Sequence, residues 1–507
     1  DDGMFKLLNS NRGMALPLVL ITLVVLMFFS TAIIGMSTVD TKGSVLDSQK
    51  AQAYYYAHSG AEALGTYIVE NPDNLSNRDL KELIDKLVST GTSQPFTLSP
   101  SDTGSIVINV SRSGNIIAIR SEANYEGTKA SVTLKIGENT LNTGILNKAV
   151  FAMSNIKMNG GTITGDIAAL NNINISGGTL SGTTIYIHPD ADASSVRAPV
   201  GTRVEKLAEV YDFPEYPFPE FPNYPVGLAE IYGEVNVTDN YAITNNLYYT
   251  GGINVSSGGR LEIIREGSDS KRVIRTKHLG IYGGGQVVDI GSGTGDLEIY
   301  VDDYLEIAHN TTLTLNIGDG NVIIRTKKLR LDEGGGSIVV NQIGNGNLYI
   351  YVNDEFKLTS GSKINVPNRD DPNILGNAKK AFIWFAGADD YTVTIPNHAR
   401  IAATLHVKEG QIIFEDGARL DGNLISGSSY IRLSNDVAIN GGLVYAPNAT
   451  LAIGNGSRIA GGIICNVFDM SLAGTNGNIE YRELDDDYRE MFENVIKKTE
   501  YKYLNWE

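Results

Sequence analysis

No charged residue occurs between Met14 and Met36, 23 positions in a row (MALPLVLITLVVLMFFSTAIIGM). A run that long predicts a helix able to cross a bilayer core, for which about 20 residues suffice. Pro17 falls in the first turn, where a missing N–H costs a helix little. A cleaved secretory signal has an apolar stretch of only about 7–15 residues, so this run is too long for one. Lys6 and Arg12 stand just before it, which directs the short N-terminus to the cytoplasm and the rest of the chain outside. Beyond Gly35, apolar residues recur at Leu46, Ala53, Ala57, Ala61, Leu64 and Ile68. That spacing continues the helix as an amphipathic one, and Pro72 ends it.

The pattern then changes period. Residues 76–88 (SNRDLKELIDKLV) predict a short helix with Ser76 as N-cap. Residues 96–137 alternate apolar and polar positions and turn at Ser113-Gly114-Asn115 and Glu126-Gly127, the signature of a small antiparallel sheet.

From residue 149 onward the chain repeats. FAMSNIKMNGGTITG and AALNNINISGGTLSG are offset by 17 residues, and IAATLHV, LDGNLIS, INGGLVY and IAGGIIC begin at 401, 420, 439 and 459. Between these blocks, longer units begin at 272, 296, 321 and 347, with another from Asn246 one period earlier. Units this short, β-branched, alternating and punctuated by Gly, Asn and Asp, exclude helical repeats. Propeller blades need about 40–50 residues. The pattern predicts a mainly β fold, a right-handed parallel β-helix whose coils carry two or three short strands each.

Two segments interrupt the repeats. Residues 211–225 (YDFPEYPFPEFPNYP) contain five prolines among aromatics and acids, so they cannot form a central strand. They read as an extended strap or spacer, or as a ligand for a peptide-recognition module. Residues 367–380 read as a loop leaving the coils. In the tail, Tyr488, Met491, Phe492, Val495 and Ile496 fall on one helical face, which predicts a cap for the last coil and its unpaired edge. The expected organisation is therefore a leader at 1–13, a membrane-spanning helix at 14–70 and a small α+β headgroup at 71–140. A β-helix follows at 141–481 and a helical cap at 482–507.

Composition narrows the function. Lys+Arg number 41 and Asp+Glu 58, a net charge of −17, which argues against nucleic acid or an anionic membrane surface as the main partner. Glycine reaches 55 of 507 residues, well above the usual share of about 7%, as frequent turns require. The single cysteine, Cys465, excludes an intramolecular disulfide and a Cys-based zinc site, and its place in IAGGIIC predicts an inward, packed side chain.

The N-terminal pattern also carries a resemblance. Arg12-Gly13-Met14 followed at once by the apolar run resembles the class III leader of type IV prepilins, and the whole of RGMALPLVLITLVVL… with QAYYYAHSGAEA is similar to PilX-type minor pilins. An ordinary signal-anchor helix is the alternative. The resemblance, which covers about residues 4–70, implies cleavage between Gly13 and Met14 by a prepilin peptidase, methylation of the new N-terminus, and assembly with other pilins. Major pilins carry Glu at the fifth mature position, which here is Leu18. In that family the carboxylate neutralises a neighbour's terminal amine, so its absence implies a tip or sparse position in a filament. The short C-terminal coils resemble bactofilin-like and related surface β-helices.

Candidate chemistry is sparse. The six histidines (58, 188, 278, 309, 398 and 406) show no metal-ligand spacing, and no cofactor or metal is expected. Many parallel β-helices are polysaccharide lyases or glycosidases, which use clustered acids. The acidic groups here are Asp302-Asp303, Asp370-Asp371, Asp389-Asp390 and Asp485-Asp486-Asp487, each also readable as a solvated turn or cap. Binding is the favoured expectation. Outward positions of the long coils, around Tyr300, Asp302, Tyr304, Tyr349, Tyr351 and Asp354, would either contact a cell-surface glycan or host matrix, or stack in register along the coils. The expected protein is thus a membrane-anchored surface subunit acting in filament assembly and adhesion, with a β-helix polysaccharide enzyme as the alternative.

Overall fold

The computed structural model describes residues 15–70, 96–101, 104–113, 116–140, 146–208, 210, 213–265, 271–291, 295–332, 336–366, 376–474, 476–496 and 499–506. The expected helix at 76–88, its Ser76 cap, Gly13, Met14, Asp370, Asp371 and most of the 367–380 loop lie outside them. The chain forms two compact units, residues 1–141 with 498–507, and residues 142–497.

In the first unit, helix α1 runs from Ala15 to Glu70. Its mean hydropathy reaches 2.7 with none of that stretch buried, so it is long and apolar enough to cross a membrane. The second half behaves differently. Ala57, Ala61 and Ile68 are buried against Ile106, Ile119, Leu134 and Ile136 of a sheet, and Ala53 is buried one turn earlier. Small side chains let the helix approach closely: a Cβ on Gly65 would lie 2.4 Å from Leu134 Cδ2. Leu46, expected on the same buried stripe, is 50% exposed, because the helix meets the sheet only further along.

That sheet contains β1 (Phe96–Ser101), β2 (Gly104–Ser113), β3 (Ile116–Tyr125) and β4 (Thr128–Thr140), antiparallel in chain order. A fifth strand, Thr499–Trp506, pairs antiparallel with β4. The expected cap over 482–507 is corrected here. Among the described residues of this stretch, helix is confined to Asp486–Ile496 (α2), and Thr499–Trp506 returns to complete the first unit's sheet.

The second unit is a parallel β-solenoid. Its inward columns are aliphatic and in register, as in Ile274, Ile299, Ile324, Ile350 and Ile383, each paired with the next. The short C-terminal coils stack as the repeats predict, Ile401 on Leu420, Ile439 and Ile459. The first long offset is corrected by one residue, since Arg272 pairs with Leu297.

The order of stacking was not expected. Strand Val150–Thr164 pairs in parallel with Ile167–Ala169 and Ile173–Ser181 of the following coil, and on its other side with Arg458–Met470. The chain therefore enters inside the stack and builds outward to Arg203–Lys206 at one end. It then crosses to Ala229–Ile231 at the other end and returns coil by coil to meet its own first strand. The last coil thus has a partner and no end to cap. Instead, Tyr488 and Phe492 of α2 are buried on the lateral face with Phe213, Tyr445 and Ile464.

Candidate functional site

The first half of one strand in the long coils alternates, up to a register shift after Val301 and after Thr326. In Leu297–Ile307, Leu297, Ile299 and Val301 enter the core while Glu298 and Tyr300 point outward. Stacking turns the outward positions into a ladder. Tyr248, Arg275, Tyr300, Arg325, Tyr351, Trp384 and His406 occupy successive rungs of one column. The column continues through Ile425, Tyr445, Ile464 and Phe151.

The Pro-rich segment lies on this ladder. Phe213 meets Phe151 with ring centroids 5.0 Å apart, Phe218 meets His406 at 4.9 Å, Phe221 meets Tyr351 at 5.0 Å and Tyr224 meets Tyr300 at 6.0 Å. Its carbonyls, which have no strand partners, accept from the ladder. Arg275 donates to Pro225 O at 3.0 Å, and Arg325 and Tyr445 donate to the carbonyls of Pro222 and Pro214. The Arg325 guanidinium also sits 4.2 Å from the Tyr224 ring centroid, a cation–π contact. Burial at this contact pushes the phenols of Tyr216, on the strap, and Tyr300, on the ladder, up to about 12.

The six residues expected to contact a ligand separate accordingly. Tyr300 is only 4% exposed and donates to Glu298 Oε2 at 3.2 Å. Its outward direction is as expected, but the strap occupies the space in front of it, and accessibility is corrected for this residue. Tyr351 is half-buried beneath Phe221. Tyr349 stacks on Phe382 and Trp384, both at 5.5 Å, so its ring faces are turned along the ladder. Asp302 is half-buried, bound by Arg275 Nε at 2.9 Å and by the Tyr248 hydroxyl at 2.9 Å. Tyr304 stacks on His278 at 5.1 Å, around the edge of the strand, and Asp354 is exposed.

Arg275, Arg325, Trp384 and His406 are ladder members that the pattern did not single out. The two arginines hold equivalent places in RVIRTK and VIIRTK, a usable signal. Trp384 and His406 follow the 367–380 loop, which breaks the period. Leu18 is 67% exposed on α1.

Of the other acids, Asp303 pairs with Lys328 at 3.3 Å, Asp485 and Asp487 share Lys379 at 2.5 and 3.9 Å, and Asp389 and Asp390 lie on an exposed turn. Among the described residues no group of three or more His, Cys, Asp or Glu could hold a metal. Cys465 is fully buried, and burial raises its thiol pKa.

His406 supplies a pH dependence. It is 2% exposed, faces Tyr216 and Phe218, and has no hydrogen bond at Nδ1. Burial lowers its pKa from 6.5 to about 4. The folded state thus resists a proton that the unfolded chain accepts. Stability from this group is complete above pH 6.5 and falls as pH drops toward 4, by about 3 kcal/mol at 1.36 kcal/mol per unit. His406→Phe should flatten acid unfolding between those values. An unchanged pH profile in denaturant melts would count against the assignment.

Fold and ladder together define a β-solenoid carried behind a long apolar helix. Residues 284–440 match a family model described as a domain of unknown function (DUF7305). No curated protein matches the chain. Among solved structures, the competence-associated pilin ComZ from Thermus thermophilus aligns over 90% of this chain and 97% of its own, with 12% identity and a TM-score of 0.25. An overlap that loose carries no argument.

Proposed function

We propose that the protein is a minor-pilin-like surface subunit that displays its solenoid outside the cell as a binding element. The observation that carries this reading is α1, apolar and exposed over its first half and packed through Ala57, Ala61 and Ile68 on an antiparallel sheet over its second. Such a helix can hold a subunit in a membrane and then in a filament core without changing its fold. The Arg12-Gly13-Met14 leader pattern adds a processing step by prepilin peptidase, with methylation of Met14. Lys6 and Arg12 favour a cytoplasmic N-terminus. Leu18 cannot neutralise a neighbouring subunit's amine, and an unpaired buried charge is costly, so a tip or sparse position follows.

Adhesion is assigned to the solenoid faces that the strap leaves open, with Tyr304 and Asp354 among the contacts, toward a glycan or host matrix. We favour binding over polysaccharide cleavage because Asp302 and Asp303 are each taken up by a different cation, Arg275 and Lys328, whereas catalysis needs an acid and a base that converge.

Processing and position are tested together. N-terminal sequencing of membrane-extracted protein should begin at Met14, and immunogold labelling should mark filament tips or scattered points. Intact residues 4–13 in cells with active peptidase, or continuous shaft labelling, would overturn the reading. Leu18→Glu should increase internal incorporation.

A further inference from the structure

The strap crosses from the Phe151 rung to the Tyr300 rung, eight successive pairings along the ladder. At about 4.8 Å per pairing this is roughly 38 Å. Phe213 and Tyr224 are 11 residues apart, a length that reaches about 34 Å as polyproline II and at most roughly 36–40 Å fully extended. The strap has almost no slack.

Its contacts are also commensurate with the coils. Three residues of polyproline II advance about 9.3 Å, close to the roughly 9.6 Å of two rungs. Phe221 and Tyr224, three apart, meet Tyr351 and Tyr300, two rungs apart. Pro222 and Pro225, again three apart, accept from Arg325 and Arg275, again two rungs apart. Aromatic meets aromatic on one rung, and carbonyl meets guanidinium on the next.

The strap is joined covalently to the Arg203–Lys206 strand at one end of the stack and to Ala229–Ile231 at the other. We propose that it is an axial brace. A pull along the stack is perpendicular to the strands and would otherwise peel coils one at a time. A taut segment tied to both ends receives that pull first, and its ring and carbonyl contacts are then loaded together in shear. This device belongs to the solenoid and does not depend on the pilus reading.

Single-molecule pulling tests it in the full, detergent-extracted chain. Handles are placed at Lys157→Cys, exposed on the junction coil, and Tyr232→Cys, 81% exposed on the far coil. Cys465 is fully buried and does not compete for the handles. A protease site inserted between Pro219 and Glu220 is cut after folding. The uncut native strap should yield in one high-force event. After cutting, the first rupture should come at severalfold lower force and proceed coil by coil. Equal rupture forces with the strap native and cut would overturn the proposal. Should the cut protein lose its circular dichroism signal, Arg275→Ala with Arg325→Ala keeps the covalent strap and removes its carbonyl clamps. That variant should rupture at lower force, and an unchanged force would again overturn the brace.

Discussion

Asp289→Asn should destabilise the solenoid by about 3–5 kcal/mol, the usual result of stranding one member of a buried ion pair. The side chains of Arg265 and Asp289 are 1% and 0% exposed. Arg265 reaches Asp289 through Nε at 3.0 Å and Nη2 at 2.5 Å, and it donates through Nη1 to Gly295 O at 2.5 Å. Asp289 also accepts the Asn316 amide at 3.0 Å. Burial raises the carboxyl's pKa while the guanidinium pulls it down. Removing the carboxylate leaves a guanidinium that cannot lose its proton in an interior that cannot solvate it. Replacing both partners together, Arg265→Met with Asp289→Leu, should recover most of the loss, because no charge is then left unpaired. Denaturant melts followed by circular dichroism read both. A single variant costing under about 1 kcal/mol would contradict the burial argument.

Gly461→Ala should be nearly as damaging, at about 3–5 kcal/mol, combining backbone strain with overlap. Gly461 has φ +155°, and a Cβ there would lie 1.9 Å from Gly442 O on the preceding coil. That neighbour is backbone held by two strand ladders, so it has no rotamer by which to retreat. Gly441 provides the internal control. Its φ is +88°, but a Cβ would meet nothing within 4 Å, so Gly441→Ala should cost only about 1–2 kcal/mol of conformational strain. Equal losses at the two positions would show that strain alone, and not coil-to-coil contact, fixes the glycine pair in INGG and IAGG.

These two sites differ in how far the chain announces them. The glycine pair stands at matching places in INGG and IAGG, so its importance is legible from the repeat. The Arg265–Asp289 pair is invisible, because nothing local distinguishes two charged residues in a turn-rich stretch from solvated ones. The same contrast holds at the ladder. Alternation showed that Tyr300 and Tyr351 point away from the core, yet it held no information about what lies in front of them. Phe221 and Tyr224 arrive there from about 130 and 76 residues away in sequence. No pattern of period two or of coil length encodes that meeting.

By itself the sequence determined whatever depends on local period. The uncharged run set the long helix, apolar alternation set strands, and repeats with glycine turns set a parallel solenoid, because backbone pairing and burial act on near neighbours or on equivalent positions of adjacent coils. Tertiary structure alone decided the order in which coils stack, the return of Thr499–Trp506 to the β4 edge, and the occupation of the aromatic ladder by the chain's own strap. Each of these joins segments far apart in sequence. Their free energy comes from edge pairing and from burial of surfaces that exist only after the coils have formed, so no local pattern carries them.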